Sequence, residues 1–269
     1  MWCMSSKEFV RLVQKYYAEH GRYDLPWRKT HDGYKTLVSE LMLQQTQVDR
    51  VIPFYKNFLK RFPTAKKLAE ASLAEVLKYW SGLGYNRRAK FLHEAAKVIA
   101  KNGMPKTAVE LEALPGVGPY TARAVAAFAY DQPEVVIETN IRAALIHHFF
   151  DGREKVSDAE LVPLLEEMVK KEVSPREWYS AFMDYGAYIK KEYPNPSRRS
   201  KHHVKQSKFE GSLRQVRGAI LKTLHLGAKS EKEILASIPY AEDRVTEALQ
   251  GLQSDGLISF SEKKWRTGA

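Results

Sequence analysis

The chain of 269 residues is 44% hydrophobic, so it can form one sizeable globular domain and a smaller one. Its 43 basic and 32 acidic residues give a net charge of +11, which indicates a polyanionic partner. We expect no membrane-spanning helix, because no apolar run of about 18 residues exists, and no signal peptide, which makes a cytoplasmic location the expectation. The single cysteine, Cys3, excludes an internal disulfide and a cluster of cysteine ligands for zinc or iron–sulfur.

The first two helices are predicted from the spacing of apolar residues. Residues 6–17 and residues 34–48 each place apolar side chains on one helical face, and Asp32 can cap the second helix. Pro26 makes the connecting segment 24–28 extended.

Glu40 lies inside the second predicted helix, beside Leu41, Met42 and Leu43. A carboxyl group in apolar surroundings is partly desolvated, so its pKa should rise, which suits a general acid at neutral pH. The alternative is a solvated glutamate on the outer face of the helix.

A turn between two later helices carries an aromatic residue. By the same spacing, three more helices are predicted: residues 51–62, 64–80 and 86–102. Before the last of them, Gly82 and Gly84 allow a tight turn that presents Tyr85. An aromatic ring on such a turn can insert where a nucleobase has left the base stack, or it can be half-buried in the protein. Arg87 and Arg88 follow and could bind phosphates or simply be solvated.

The stretch Leu114–Ala122 lies between a short predicted helix and a longer one. Gly116 and Gly118 can adopt backbone angles closed to other residues, and they let a ligand approach bare backbone N–H groups. Those groups lie at a helix N-terminus, where the dipole favours an anion such as a DNA phosphate. The alternative is a helix–turn–helix that serves packing alone.

Glu138 follows a short apolar run, residues 135–137, and stands where a helix is expected to begin. It is either a functional carboxylate or a helix-start carboxylate favoured by the dipole. Further helices are predicted over residues 140–150, 158–173 and 175–190.

A basic segment runs from Lys190 to Arg217, with nine Lys or Arg residues against two Glu. It either contacts the DNA backbone or is a solvated linker. In the first case, each phosphate neutralised would steepen the salt dependence of binding by about 0.9 in log–log slope.

Four motifs together resemble the helix-hairpin-helix DNA glycosylases (the HhH-GPD superfamily), and most closely the MutY-like adenine glycosylases. They are VSELMLQQTQV at 38–48, GLGY at 82–85, LPGVGPYTA at 114–122 and MDYGA at 183–187. The resemblance covers about residues 6–190. It implies an all-α, two-lobed endonuclease III-like glycosylase fold and double-stranded DNA as the partner.

The resemblance also implies roles for individual residues. Glu40 would protonate the departing base, Glu138 would stabilise the oxocarbenium ion that forms on the sugar, and Asn140 would position groups around that site. Tyr120 stands where bifunctional relatives carry a lysine, so we expect no strand cleavage by an amine; it could also pack or hydrogen-bond catalytic groups. We expect DNA contacts from Gln44, Gln45, Thr46, Tyr85, Arg87, Arg88, Gly116, Val117, Gly118, Thr121, Arg142, Arg198, Arg199 and Lys201.

The chain departs from the family pattern at two places. The family carries aspartate at the place of Glu138, and a displacement near 1 Å can cost on the order of a hundredfold in rate. A loop of four cysteines follows MDxGA in the family, whereas residues 193–203 contain no cysteine. We therefore expect no iron–sulfur cluster, no other cofactor and no metal.

The predicted domains are a glycosylase domain at 1–211 and a small domain at 212–269. Within the first, a six-helix lobe covers about 30–137, and a second lobe combines 1–29 with 138–211. In the small domain, three helices followed by a hairpin are similar to a winged helix. Its third helix carries Glu242, Asp243 and Glu247, a poor fit to a groove lined by phosphates, so packing on the main domain or a protein contact is favoured.

These observations predict a monomeric, monofunctional DNA glycosylase of base excision repair, associated with the nucleoid. It would flip an adenine paired with G or oxidised G and hydrolyse the N-glycosidic bond. Two alternatives stay open: a glycosylase for T or U opposite G, and a protein that binds lesions without cleavage, which the glutamate at position 138 would favour.

Overall fold

The structure, a computed structural model, describes residues 4–169, 174–206 and 208–268. Within this part of the chain it contains fourteen α-helices and one antiparallel two-stranded sheet, and contacts divide the chain into two compact units. In chain order the elements are α1 Ser6–His20, α2 Gly33–Leu43, α3 Val48–Arg61, α4 Ala65–Ala69, α5 Leu73–Trp80, α6 Arg87–Asn102, α7 Ala108–Glu112, α8 Pro119–Tyr130, α9 Thr139–Phe149, α10 Asp158–Met168, α11 Pro175–Glu192, α12 Leu213–Leu224, α13 Glu231–Ser237, α14 Glu242–Ser254, β1 Ile258–Ser261 and β2 Lys264–Thr267.

Unit one comprises the described residues up to Thr36 together with Lys106–Ala113 and Val117–Lys205. Its core is formed by α1, α8, α9, α10 and α11, whose apolar faces are buried against one another. The ring of Phe9 on α1 lies 5.3 Å from the rings of both Phe149 and Phe182. Such tilted aromatic contacts add directional packing to the burial of apolar surface.

A buried ion pair in unit one connects α11 to the segment before α2. Asp184 accepts hydrogen bonds from Arg28 Nη1 at 2.7 Å and Nη2 at 2.8 Å. It also accepts from the backbone N–H and the Nε of Arg22, at 2.8 and 2.7 Å. Burial alone would raise the pKa of Asp184, but the hydrogen bonds and charge of Arg28 outweigh it and hold the pKa below its ordinary value. The aspartate of the MDYGA motif is therefore a structural anchor.

Replacing Asp184 with Asn should destabilise unit one strongly. The Asp184 and Arg28 side chains are only 2% and 12% exposed, so the variant leaves a buried guanidinium without its counter-ion. We expect a loss of about 3–5 kcal/mol in the free energy of unfolding, measured by urea denaturation. The exposed pair of Lys67 and Glu70 is the matched control, and Glu70→Gln should change stability by less than about 1 kcal/mol. Equal effects of the two variants would contradict the assignment.

Unit two comprises Leu37–Pro105, Leu114–Gly116 and the described residues from Gln206 onward. In its first segment the ring of Phe58 lies 4.9 Å from that of Phe62 and 5.9 Å from that of Trp80, and all three side chains are fully buried. These contacts join α3 to α5.

The tail, residues 212–268, confirms the predicted three helices and hairpin. Strands β1 and β2 pair antiparallel with Phe260 opposite Trp265, and Lys229 forms a further bridge to Trp265. The tail belongs to unit two, where the Nζ of Lys90 on α6 donates to the carbonyl of Asp255 at 2.9 Å. The tail thus packs on residues of the predicted glycosylase domain.

Two predicted helices are shorter in the structure. The helix predicted over 34–48 ends at Leu43, because Gln45 adopts a left-handed backbone with φ 54°. The helix predicted over 64–80 divides into α4 and α5, because Ser72 accepts a hydrogen bond from the N–H of Glu75 and starts a new helix. A polar cap interrupts the apolar pattern in the second case.

The compact units group the chain differently from the predicted lobes. Residues 117–137 lie in unit one rather than with residues 37–105. Cys3 and residues 170–173, into which one helix was predicted to extend, lie outside the described residues. Among those that are described, no helix is both long and apolar enough to cross a lipid bilayer.

Candidate active site

Glu40 lies in the middle of α2 in unit two and is 7% exposed. The residues around it, Leu37, Val38, Ser39 and Leu41, are also buried. The alternative of a solvated glutamate on an outer helix face is therefore wrong, since the side chain is buried. This is the environment that was predicted for a general acid.

A buried arginine fixes the turn that follows α2. Arg88 Nη1 donates to the carbonyls of Leu41 at 2.7 Å and Met42 at 3.0 Å, and Nη2 donates to Thr46 Oγ1 at 3.3 Å. These bonds satisfy carbonyls that the end of a helix leaves without partners. Burial lowers the pKa of Arg88 to about 10, so the guanidinium stays charged at neutral pH. The prediction that Arg88 binds a phosphate is wrong, because its donors are directed into the protein.

The predicted tight turn before Tyr85 is confirmed. Gly82 and Gly84 have φ 104° and 77°, and Tyr85 itself is left-handed at φ 49°. The indole Nε1 of Trp80 donates to the carbonyl of Gly84 at 3.2 Å and holds the turn. A non-glycine residue with positive φ persists only where the surroundings enforce it, and such residues concentrate at functional sites. Gln45, in the turn after α2, has the same property.

The hairpin 114–122 requires glycine at only one of its two positions. Gly116 has φ 72°, and a Cβ there would lie 2.3 Å from the Cβ of Phe91. Gly118 is extended, with φ −91°, and caps α8, whose first residue is Pro119. Val117 and Thr121 are 5% and 3% exposed, so their predicted DNA contacts cannot come from the side chains. The backbone N–H groups are what this hairpin offers an anion.

Glu138 forms the N-cap of α9 in unit one. Its Oε1 accepts hydrogen bonds from the N–H of Asn140 at 2.7 Å and of Ile141 at 3.0 Å. Burial raises the pKa of Glu138, and those two N–H groups, together with the charges of Lys190 and Arg142, act against the rise. The longer side chain thus caps the helix in the manner usual for aspartate.

Asn140 and Lys190 lie beside this carboxylate. Lys190 Nζ on α11 donates to Asn140 Oδ1 at 3.1 Å. Gly186, one turn earlier on the same helix, permits this approach, since a Cβ there would lie 2.1 Å from the carbonyl oxygen of Asn140. Lys190 was not predicted, although its spacing of four residues from Gly186 places both on one helical face.

Two further arginines predicted to contact DNA are engaged within unit one. Arg142 donates from Nε and Nη2 to Asp158 at 2.7 and 2.6 Å. Arg199 donates from Nη1 to the carbonyl of Phe150 at 2.8 Å, which anchors the cysteine-free loop to the end of α9. Both guanidinium groups have partners within the protein, and their contacts with phosphates stay a prediction. In the same loop as Arg199, Arg198 and Lys201 are exposed. Tyr120, in α8, packs against the core of unit one.

Substituting Gly186 with Ala should disrupt the site around Asn140. The new methyl group cannot fit, so α11 and α9 must separate, at a cost of about 1–3 kcal/mol. Gly218→Ala in α12 is the control, because no atom lies within 4 Å of its Cβ, and a helical Gly→Ala change there gains up to about 1 kcal/mol. The midpoint of thermal unfolding should decline for Gly186→Ala alone; an unchanged midpoint would contradict the packing.

The helical fold is endonuclease III-like. Among solved structures, a thermostable thymine-DNA glycosylase is similar with a TM-score of 0.59 and 25% identity, over 68% of this chain and 86% of the other. A non-covalent endonuclease III–DNA complex is similar in fold, with a TM-score of 0.54 and 17% identity over 71% and 87% of the chains.

Sequence comparison defines the family. Residues 38–170 match the HhH-GPD superfamily base excision DNA repair protein model. An adenine DNA glycosylase of Mycolicibacterium smegmatis is 35% identical over 276 residues, covering 93% of this chain and 92% of that protein. The chain belongs to the HhH-GPD superfamily of base excision DNA repair proteins.

Proposed function

We propose that this chain is a monomeric, monofunctional adenine DNA glycosylase that removes adenine paired with G or oxidised G. The similarity to an adenine DNA glycosylase over 93% of the chain supports adenine as the substrate base. The observation that carries the catalytic role is the burial of Glu40 inside α2. A solvated carboxyl group there would favour a protein that only binds DNA.

In the proposed reaction Glu40 gives its proton to the adenine ring. The N-glycosidic bond then breaks, its electron pair leaves with adenine, and positive charge develops on the deoxyribose. Ionised Glu138 stabilises that charge, and Asn140 positions groups around it. Water adds to C1′ and releases a proton to solvent, leaving free adenine and an abasic site.

The position of Tyr120 bears on what happens to the DNA strand. A phenol cannot form the Schiff base by which an amine cleaves the strand beside an abasic site. We therefore propose base removal alone, with an intact strand as the product. Breaks that appear without alkali would contradict this part of the proposal.

A cleavage panel tests the substrate. Duplexes carrying A, T or U opposite G or oxidised G are incubated with the protein under single-turnover conditions, and alkali then reveals abasic sites. We expect alkali-dependent breaks only at A. Excision of T would favour the second candidate, a thymine glycosylase, which the 25% identity to the thymine-DNA glycosylase structure supports. Tight binding of mispairs without excision would favour a binding protein.

A further inference from the structure

The tail of unit two borders a cavity beside the residues that the family motifs assign to DNA. The cavity measures about 510 Å³. Gln44, Gln45, Tyr85 and Phe91 line one part, and Arg214 and Arg217 of α12 line the other. The acidic residues of α14, Glu242, Asp243 and Glu247, are not among the residues that line the cavity.

Positive charge dominates this cavity. Its lining contains four arginines, Arg87, Arg88, Arg214 and Arg217, and one carboxylate, Asp255. Asp255 forms ion pairs with Arg217 and, at 3.5 Å, with Arg87. Because the donors of Arg88 are directed into the protein, three arginines and one carboxylate remain, a net charge of +2 that favours a phosphate-bearing ligand.

Aromatic rings lie next to these guanidinium groups. The Arg214 guanidinium lies 5.1 Å from the ring centre of Tyr85, and that of Arg87 lies 5.5 Å from the ring centre of Phe91. The hydroxyl of Tyr85 is hydrogen-bonded to Arg214 Nη1 and to Gln206 Nε2. Aromatic rings interleaved with arginines in a basic groove are the features by which proteins hold a nucleic acid strand.

We propose that α12 of the tail forms part of the DNA-binding surface, with Arg214 and Arg217 contacting phosphates of the strand next to Tyr85. This inference rests on the proposed function, because the DNA-facing role of Gln45 and Tyr85 comes from the glycosylase motifs. It gives the tail a direct part in binding DNA, beyond packing on the glycosylase domain.

The salt dependence of binding tests this surface. The probe is a duplex with a stable abasic-site analogue opposite G, which cannot be cleaved, and its Kd is measured by fluorescence anisotropy at several salt concentrations. Arg214→Ala should weaken binding and reduce the log–log salt slope by about 0.9 for each phosphate that the protein no longer neutralises. Arg214→Lys should largely keep the slope. Lys222→Ala, an exposed residue of the same helix outside the cavity, is the control.

An unchanged slope in Arg214→Ala, with wild-type thermal unfolding, would overturn the proposal. Tighter binding would also overturn it, because Arg214 would then restrain Tyr85 rather than contact DNA. Failure of the proposed function can be distinguished from failure of this proposal. If the wild-type protein binds the probe but releases no base from a substrate duplex, the proposed function fails, while the salt slope still tests whether Arg214 contacts DNA.

A different observation concerns the residues around Glu138. Besides Lys190, the cation near this carboxylate is Arg142 on α9, which is itself paired with Asp158 of α10. His202 lies 3.9 Å from Asp158. Lys190 differs from Arg142 because its ammonium group donates to the amide of Asn140, whereas the guanidinium of Arg142 donates to a carboxylate.

We infer that Lys190 is a positioning residue for the proposed site: it orients the amide of Asn140 beside Glu138. Asn140 accepts the hydrogen bond from Lys190 through Oδ1, which fixes the orientation of its amide group. The NH₂ group of Asn140 is therefore directed away from the ammonium group of Lys190. The positive charge of the Lys190 ammonium group acts against the rise in the pKa of Glu138 that burial causes. This inference also rests on the proposed function.

Lys190→Gln tests the charge, because glutamine keeps a donor for Asn140 but is neutral. The acid limb of the single-turnover excision profile should move to higher pH, with the rate recovering toward wild type as pH rises. Lys190→Arg should restore the wild-type profile, and exposed Lys191→Gln is the control. An unmoved acid limb in Lys190→Gln would overturn the inference. Near-wild-type excision by Glu138→Gln would instead overturn the proposed role of Glu138.

Discussion

Replacing Glu40 with Gln should reduce single-turnover adenine release by about 10²–10⁴-fold, the range of general acid catalysis. Glutamine has nearly the same shape but cannot donate a proton to the leaving base. The side chain is buried within α2, so water cannot readily take its place. The measurement is the rate of abasic-site formation in an A:G duplex under enzyme excess.

Binding and folding must be measured for the same variant. Glu40→Gln should bind the abasic-analogue duplex as the wild type does, because the substitution adds no volume and removes no positive charge. Glu70→Gln, the same substitution at an exposed glutamate of the same unit, is the matched control. A near-normal excision rate in Glu40→Gln would remove the general acid from the mechanism.

Replacing Glu138 with Gln should lower excision by about 10²–10³-fold, the usual cost of losing one electrostatic stabiliser of a transition state. The neutral amide can still accept from the N–H groups of Asn140 and Ile141, so α9 should keep its cap. Stability should therefore change little while activity is lost. Thermal unfolding and single-turnover excision, measured on one preparation, separate the two effects.

The pH dependence follows from the same carboxylate. Burial raises the pKa of Glu138, and the reaction needs the ionised form, so the rate should fall as pH decreases through this raised value. The acid limb should thus lie above the ordinary glutamate range. Glu138→Asp, which restores the residue of the family, should retain both the cap and an acid limb. A profile without an acid limb would contradict the role of Glu138.

The sequence predicted local features well where one residue type has one strong requirement. Gly116 adopts a positive φ, which glycine tolerates best, and Glu138 precedes a helix, where a carboxylate is favoured. The local conformation at both positions could therefore be predicted from the residue type. The position of Glu40 in a buried helix also followed from its apolar neighbours. The winged-helix-like tail was predicted from capping and apolar spacing.

The arginines could not be assigned from sequence, because their partners are distant in the chain. Arg88 binds carbonyls more than 40 positions earlier, and Arg199 binds that of Phe150. A guanidinium with five donors serves a phosphate and a helix end equally well. Lys190 was missed for the same reason, since its partner Asn140 lies on another helix.

Arg88 links the two turns that carry Gln45 and Tyr85. The same guanidinium binds the carbonyls of Leu41 and Met42 on one side and that of Gly84, at 3.0 Å, on the other. The backbone conformations of Gln45 and Tyr85 therefore depend on the same guanidinium group, so a change in one turn should affect the other. In a double-mutant cycle, substitutions at Gln45 and Tyr85 should be non-additive, and the coupling should decrease once Arg88 is replaced by Met. Some coupling should persist, because Gln206 Nε2 donates both to Gln45 Oε1, at 3.3 Å, and to the hydroxyl of Tyr85.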